Sequence, residues 1–372
     1  MPRLPPSLIR RAHSISPHLA ALLPVCRDLG SARHELRWIR EHVSQLLSRK
    51  NKPHSHAVLK LREELLLSRL CRRRGNGTPL QYLLGSQPFG DLDIKCRPGV
   101  LIPRPETEAW VMHLAEIVRS DRNRLTDVNG NRETEDLRVL DLCLGSGCIA
   151  LLLHSILQRH FPRLSVRGYD IESDAVGLAR QNLAHNMKHG LLRNPNDNVL
   201  FLDGDIFAAD WLKSLIDHGR QERGKTRKGS VVDVLVSNPP YISTTGFNRD
   251  TARSVRNHEP KRALVPLPSL ESCRPDVRPE DVFYARLLEI AEMFRSRFAV
   301  FEVGDLEQAR RVVQMAIKGF DQQDAGTHIE IWRDWPDMRP QDCEAESVDV
   351  GGLEVPVRGS GNGRAVFIHR TI

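Results

Sequence analysis

Between residues 31 and 74 apolar side chains recur at helical spacing: Leu36, Ile39, Val43, Leu46 and Leu47, then Val58, Leu61, Leu65, Leu66 and Leu70. This period predicts a small helical domain with a basic outer face. Pro53, in Asn-Lys-Pro-His-Ser at 51–55, divides it into at least two helices, because the residue before a proline is disfavoured in helical backbone. A third, short helix is expected over 79–84, closed by Gly85. The pattern then changes: Phe89, Leu92 and Ile94, followed by Val100, Leu101 and Ile102 around Pro98-Gly99, predict a β-hairpin linking two domains over 88–105. Pro105 suits the first turn of a following helix, and Glu106 and Glu108 suit its positive end.

From residue 137 onward, strand-like apolar runs alternate with helical stretches, which predicts an open α/β sheet. Strands are expected at 138–143, 165–170, 199–202, 232–237, 298–303, 329–332 and 365–369. The polar stretches 121–136, 218–229, 266–281 and 336–363 are expected to be surface loops.

Composition narrows the classes. A chain of 372 residues, 40% hydrophobic, holds one large domain or two with a sizeable core. Apolar runs such as 148–153 fall far short of the ~18 residues needed to cross a bilayer. The net charge of +7 suggests a nucleic-acid partner until it is located: residues 1–75 carry 16 Lys and Arg against 5 Asp and Glu, a surplus of +11 that leaves −4 on the rest. The first 27 residues contain four arginines, three serines and no acid, a composition like that of a mitochondrial transit peptide. Residues 1–30 are therefore expected to be a targeting segment and 31–87 the helical domain, with 106–372 as the catalytic domain. Seven cysteines without a Cys-x-x-Cys spacing suggest neither a disulfide framework nor a zinc site, and His54-Ser-His56 lacks a second pair of ligands. No metal is expected.

Three motifs carry chemistry. Val-Leu-Asp-Leu-Cys-Leu-Gly-Ser-Gly-Cys-Ile-Ala at 139–150 reads as a buried strand entering a glycine turn and a helix, where Gly145 and Gly147 let a ligand approach the backbone. A ligand-free tight turn and a dinucleotide-binding turn fit the same residues. Asp170, about twenty residues on, ends the next strand and can accept hydrogen bonds from both hydroxyls of a ribose, in NAD or in S-adenosylmethionine alike. Third, Ser-Asn-Pro-Pro-Tyr-Ile at 237–242 follows the fourth strand. Two prolines fix their own backbone and remove two donors, so the loop carbonyls are free to accept. Asn238 Oδ1 and the Pro239 carbonyl can each take one N–H of a primary amide or exocyclic amine, with Tyr241 stacked on its plane.

With these residues, the chain resembles the class I S-adenosylmethionine-dependent protein-(glutamine-N5) methyltransferases of peptide chain release factors. The resemblance covers roughly 31–370 and rests on Pro-Leu-Gln-Tyr-Leu-Leu-Gly (79–85), Leu-Ile-Pro-Arg-Pro-Glu-Thr-Glu (101–108), the 141–150 turn, 237–242, and His-Glu-Pro-Lys-Arg-Ala-Leu (258–264). Asn-Pro-Pro-Tyr alone also matches adenine-N6 DNA methyltransferases; the two upstream motifs favour the glutamine family. The resemblance implies a seven-strand Rossmann-like sheet behind the helical domain, with S-adenosyl-L-methionine as cofactor. It places cofactor binding on Asp141, Cys143, Leu144, Gly145, Ser146, Gly147, Asp170, Asp205, Ile206 and Asn238, and the grip on the substrate glutamine on Asn238, Pro239, Pro240 and Tyr241.

The implied substrate is the glutamine of a Gly-Gly-Gln tripeptide in a release factor, mitochondrial if the first segment is a transit peptide. The enzyme is expected to be a monomer in the matrix, without stable membrane association or direct nucleic-acid binding. Three departures stand out. Cys143 replaces the first glycine usual in the turn, with Leu144 adding bulk beside it. Ile206 stands where some relatives carry an aromatic residue. Val-Pro-Leu-Pro-Ser-Leu follows Leu264 in place of a glycine-rich stretch. Two alternatives remain open: an adenine-N6 nucleic-acid methyltransferase, against which the −4 of residues 76–372 argues, and a non-catalytic assembly factor that retains the fold.

Overall fold

The computed structural model describes residues 3–48, 56–122, 136–193, 198–208, 211, 232–267, 276–320 and 326–371. The chain divides into two units. The first comprises Met1–Gln87, Cys96–Pro98 and Thr251–Glu259, and the second Pro88–Lys95, Gly99–Asp250 and Pro260–Ile372.

The first unit contains α1 (Pro6–Ile15), α2 (Pro17–Cys26), α3 (Leu29–Ser48), α4 (His56–Gly75) and α5 (Leu80–Leu84). Prolines sit in the first turns of α1 and α2, where a missing N–H costs nothing, and Ser16 caps α2 by accepting the His18 N–H at 3.2 Å. Gly85 closes α5 in left-handed backbone, φ 84°. Ala12, Leu19, Leu22 and Leu23 are buried in one core with Ala32, Leu36, Ile39, Val43, Leu67 and Leu70. A Cβ on Gly75 would lie 1.9 Å from the Ala21 carbonyl oxygen, so α2 packs directly on the end of α4. Within the expected targeting segment 1–30, residues 6–15 and 17–26 form two helices of this core. Leu19, Leu22 and Leu23 supply the apolar face that the basic composition masked. The expected break at 51–55 and His54 lie outside the described residues.

A two-stranded hairpin consists of β1 (Ser86–Phe89) and β2 (Leu92–Lys95), and it turns at Gly90, φ 55°. The expectation of a second arm at 100–102 is corrected. Pro98, Pro103 and Pro105 cannot donate to a ladder, and 99–104 runs as irregular backbone into α6 (Pro105–Arg122).

In the second unit, β3 (Asp136–Leu142), α7 (Cys148–Leu157), β4 (Arg163–Asp170), α8 (Ser173–Lys188), β5 (Val199–Asp203) and β6 (Val234–Ser237) are followed by α9 (Thr244–Arg249). The short helix α10 (Arg253–His258) belongs to the first unit. Then come α11 (Val282–Met293), β7 (Phe298–Glu302), α12 (Leu306–Gly319), β8 (Thr327–Trp335), β9 (Ser347–Val350), β10 (Leu353–Arg358) and β11 (Ser360–Arg370). One nine-stranded sheet has the order β5-β4-β3-β6-β7-β11-β8-β10-β9. Strands β3 to β7 pair in parallel, and β11 runs antiparallel between β7 and β8.

All seven expected strands are present. Two more, β9 and β10, occupy part of 336–363, which was expected to be loop. Val350, Val355 and Val357 are buried on alternating positions, and Gly351-Gly352, φ 64° and 87°, closes the hairpin between them. Residues 279–281 form a 3-10 turn, whereas 123–135 and 212–231 lie outside the described residues.

Successive residues of β3 face opposite cores: Val139 joins α6, α7 and α8, and Leu140 joins α11 and α12. The sheet is therefore covered on both faces, as a mostly parallel sheet requires. The chain moves outward from β3 to β5 and returns beside β3 as β6. This switch point opens a crevice at the carboxyl ends of β3 and β6, where ligands bind in such sheets.

Candidate active site

At the end of β3 the backbone turns through left-handed conformations at Cys143 (φ 60°), Gly145 (φ 56°) and Gly147 (φ 78°). A Cβ on Gly147 would stand 2.9 Å from the Ala179 Cβ, so glycine there permits α7 to start against α8. Every segment of the turn is tied down. Leu144 N–H donates to the Tyr169 carbonyl at 3.0 Å, Gly145 N–H to Asp170 Oδ2 at 2.8 Å, and Ala150 N–H to Asp141 Oδ2 at 3.1 Å. Asn182, fully buried on α8, donates to the Ser146 carbonyl at 2.9 Å and accepts the Lys95 N–H of β2 at 2.8 Å. The turn is preformed by its neighbours.

Asp170 is fixed at both oxygens, since its Oδ1 accepts the Glu172 N–H at 2.9 Å. Burial raises its carboxyl above the usual range. Asp205 accepts the Phe207 N–H at 2.9 Å in a tight turn after β5. At β6, Ser237 Oγ donates to the Leu142 carbonyl at 2.7 Å, joining the two strand ends that flank the crevice.

These ends open on a cavity of ≈ 580 Å³ within the second unit. Such a volume lies in the range of small-molecule sites, about 300–1,000 Å³. Cys143, Leu144, Gly145, Ser146, Asp170, Asp205, Ile206, Asn238 and Pro240 all line it. Given the order β5-β4-β3-β6, Asp205, Asp170, the glycine turn and Asn238 follow one another along the sheet edge.

Four of the anticipated residues do not line the cavity. Asp141 is completely buried behind the turn, and burial holds its carboxyl well above the usual range; it anchors α7. Gly147 is packed on Ala179, and Pro239 is buried. Tyr241, expected as a stacking face, points its hydroxyl at Glu302 Oε1, 3.2 Å away.

Glu302 was not anticipated. It is buried at the end of β7, and its Oε2 accepts Thr107 Oγ1 at 2.6 Å and Trp110 Nε1 at 2.8 Å. Its signal is an acid inside Phe-Ala-Val-Phe-Glu-Val at 298–303, since carboxylates are seldom buried without a task. Arg104 and Thr107, from the Pro-Arg-Pro-Glu-Thr stretch, also line the cavity, as do Ile171, Phe207 and Phe283. The rings of Phe207 and Phe283 meet edge to face at 5.1 Å. They supply the aromatic surface that Ile206 lacks. Leu144, read as added bulk, is buried over Gly168, where a Cβ would come within 2.5 Å of its Cδ1.

The chain is 36% identical over 266 residues to the mitochondrial MRF1 N(5)-glutamine methyltransferase MTQ1 of Saccharomyces cerevisiae, covering 71% of this chain and 68% of that protein. The chain belongs to the release factor N5-glutamine methyltransferases. It is 35% identical to the probable MRF1 mitochondrial N(5)-glutamine methyltransferase mtq1 of Schizosaccharomyces pombe, over 67% of this chain and 69% of that one. A release factor glutamine methyltransferase of Thermodesulfovibrio yellowstonii is 32% identical over 68% of this chain and 73% of its own length. No family profile matches the chain. As a member of this family it is an S-adenosylmethionine-dependent methyltransferase of class I fold.

Proposed function

We propose that the protein methylates the side-chain amide nitrogen of the glutamine in the Gly-Gly-Gln motif of a peptide chain release factor, in mitochondria. The observation that carries this reading is that Asn238 and Pro240 line the same cavity as the glycine turn, Asp170 and Asp205.

The residues fit the cofactor. Asp170, already oriented by two backbone N–H groups, keeps acceptor capacity for ribose hydroxyls. Ile171, Ile206, Phe207 and Phe283 offer an apolar surface suited to adenine. Gly145, with nothing within 4 Å of a built Cβ, leaves room for close approach to the backbone. S-adenosylmethionine, when bound, supplies a methyl group on a positively charged sulfur.

Toward the substrate, Asn238 Oδ1, on the cavity wall, and the carbonyl of Pro239, the residue between the cavity-lining Asn238 and Pro240, accept the two N–H bonds of the glutamine amide. They draw electron density toward its nitrogen and hold it in orientation. Positioning of this kind contributes up to ~7–11 kcal/mol to a barrier, and fixed acceptors act strongly in a water-poor cleft. The helical unit docks the release factor. A protein substrate agrees with the −4 charge of residues 76–372. The basic composition of residues 1–27, four arginines and no acid, serves as import signal.

The test is transfer of tritiated methyl to a Gly-Gly-Gln release factor, to DNA and to RNA side by side, with mass spectrometry of the modified glutamine. Label in the release factor glutamine is expected. Asn238→Ala is expected to bind cofactor and lose transfer by orders of magnitude. Label in nucleic acid alone, or turnover like wild type by Asn238→Ala, refutes the reading.

A further inference from the structure

Tyr241 is held at three points outside the cavity. Its hydroxyl is on Glu302, its ring lies against Gly304, where a Cβ would be 3.2 Å from Tyr241 Cδ2, and its backbone carbonyl accepts Gln308 Nε2 at 3.1 Å. Gln308 is 3% exposed, in the first turn of α12. Its amide is bonded at both ends. Oε1 accepts the Gly304 N–H at 2.8 Å, while Nε2 also donates to Asp281 Oδ1 at 2.9 Å and reaches the Glu280 carbonyl at 3.3 Å. Asp281 is itself paired with Arg311, whose NH2 group lies 3.0 Å from Asp281 Oδ1. A buried amide with donor and acceptor ends both engaged cannot rotate without losing two or more bonds. It therefore fixes the Tyr241 carbonyl relative to β7 and α12.

The Tyr241 carbonyl is one peptide beyond Pro240, and both prolines have fixed φ. A displacement at Tyr241 passes back along this stiff segment to the Pro239 carbonyl and Asn238 with little to absorb it. We propose that Gln308 is a positioning residue for methyl transfer: by holding the Tyr241 carbonyl it sets the two acceptors that receive the substrate amide. The inference rests on the function proposed above. Gln308 touches neither the cavity nor, on that reading, the substrate. Removing it misaligns acceptors that act on the transferred group and leaves the cofactor residues on β3, β4 and β5 in place.

The experiment compares the full-length wild type with Gln308→Met, which fills a similar volume without donor or acceptor. kcat with a Gly-Gly-Gln release factor, cofactor Kd by calorimetry and the thermal midpoint are measured together. The expected result is a fall in kcat of tenfold or more with cofactor Kd within about twofold of wild type, in protein that is folded at the assay temperature. A kcat within twofold of wild type in the folded variant overturns the inference, as does an equal loss of cofactor affinity. Gln308→Asn, which keeps the amide but withdraws it by one methylene, is measured alongside and decides the case if the Met variant does not fold. The same split of kcat from Kd supports positioning, and unchanged kcat refutes it. Asn238→Ala separates the two levels. An inactive Asn238→Ala beside an unaffected Gln308 variant sinks this inference alone, whereas a wild type without transfer sinks the functional reading and this inference together.

Discussion

The Tyr241 hydroxyl donates to Glu302 Oε1 across 3.2 Å, and the other oxygen of the same carboxylate receives Thr107 and Trp110. One buried acid thus joins the Asn-Pro-Pro-Tyr loop to the start of α6, whose Thr107 lines the cavity. Burial raises the carboxyl of Glu302 above its ordinary range and, together with the nearby Glu302 charge, raises the phenol of Tyr241.

Removing either end has unequal consequences. Tyr241→Phe loses one hydrogen bond and is expected to cost about 1–2 kcal/mol. Glu302→Leu strands three donors, two of them fully buried, and is expected to cost about 3–5 kcal/mol. Urea unfolding of both variants checks the ratio. Equal costs would show that Glu302 does not carry the three contacts as one group.

Cys143 stands in left-handed backbone, φ 60°, where side chains other than glycine are strained by about 1–2 kcal/mol. Burial and the neighbouring Asp170 also raise its thiol, which therefore stays neutral. Cys143→Gly is expected to raise the thermal midpoint by a few degrees and to retain methyl transfer. Cys143→Val is expected to destabilise the protein, because branching at Cβ worsens the same clash. A lower midpoint for Cys143→Gly would refute strain at this position.

The sheet was legible because strand-like segments from 138 to 369 alternate with helical stretches, the order an open α/β sheet needs. The glycine turn, Asp170 and Asn-Pro-Pro-Tyr were legible because they fall together at the carboxyl ends of expected strands, where α/β sheets bind ligands. Three features were not. Helices α1 and α2 were hidden by arginines and prolines, because composition averages over a face that spacing would resolve. The β9–β10 hairpin was hidden by its polar outer positions, although Gly351-Gly352 marks its turn. The role of Tyr241 depended on partners more than sixty residues away, at Glu302 and Gln308, which no local pattern announces.

His154, on α7, is 3% exposed, and neither ring nitrogen has a hydrogen-bond partner among the described residues. Burial lowers its pKa from 6.5 to about 4. The fold therefore holds the neutral ring, while the unfolded chain takes up the proton first. Stability from this group is complete above pH 6.5 and is lost as pH falls toward 4, by about 3 kcal/mol in all at ~1.4 kcal/mol per unit. His154→Leu removes the titration. Its stability relative to wild type should rise steadily as pH falls from 6.5 to 4 and stay level above. A difference that does not vary with pH would show that the ring is not held neutral.

Gly168 and Leu144 form a complementary pair beneath the cofactor turn. A Cβ on Gly168 would lie 2.5 Å from Leu144 Cδ1 and 3.0 Å from Cδ2, with Phe201 Cδ1 also at 3.0 Å. Gly168 is in the middle of β4, bonded to β3 and β5, so its backbone cannot retreat. Leu144 must give way, and Leu144 is one of the residues that line the cavity. Gly168→Ala is expected to weaken cofactor binding about tenfold, in line with the ~1–3 kcal/mol cost of overpacking. Leu144→Ala removes the clashing carbons and, in the Gly168→Ala background, should recover most of that affinity, although alone it leaves a void and lowers stability by ~2–5 kcal/mol. The two substitutions are thus expected to be strongly non-additive, as contacting residues are. Calorimetric titration of the four proteins with S-adenosylmethionine measures the coupling, and additive effects would show that Leu144 does not carry the strain into the cavity.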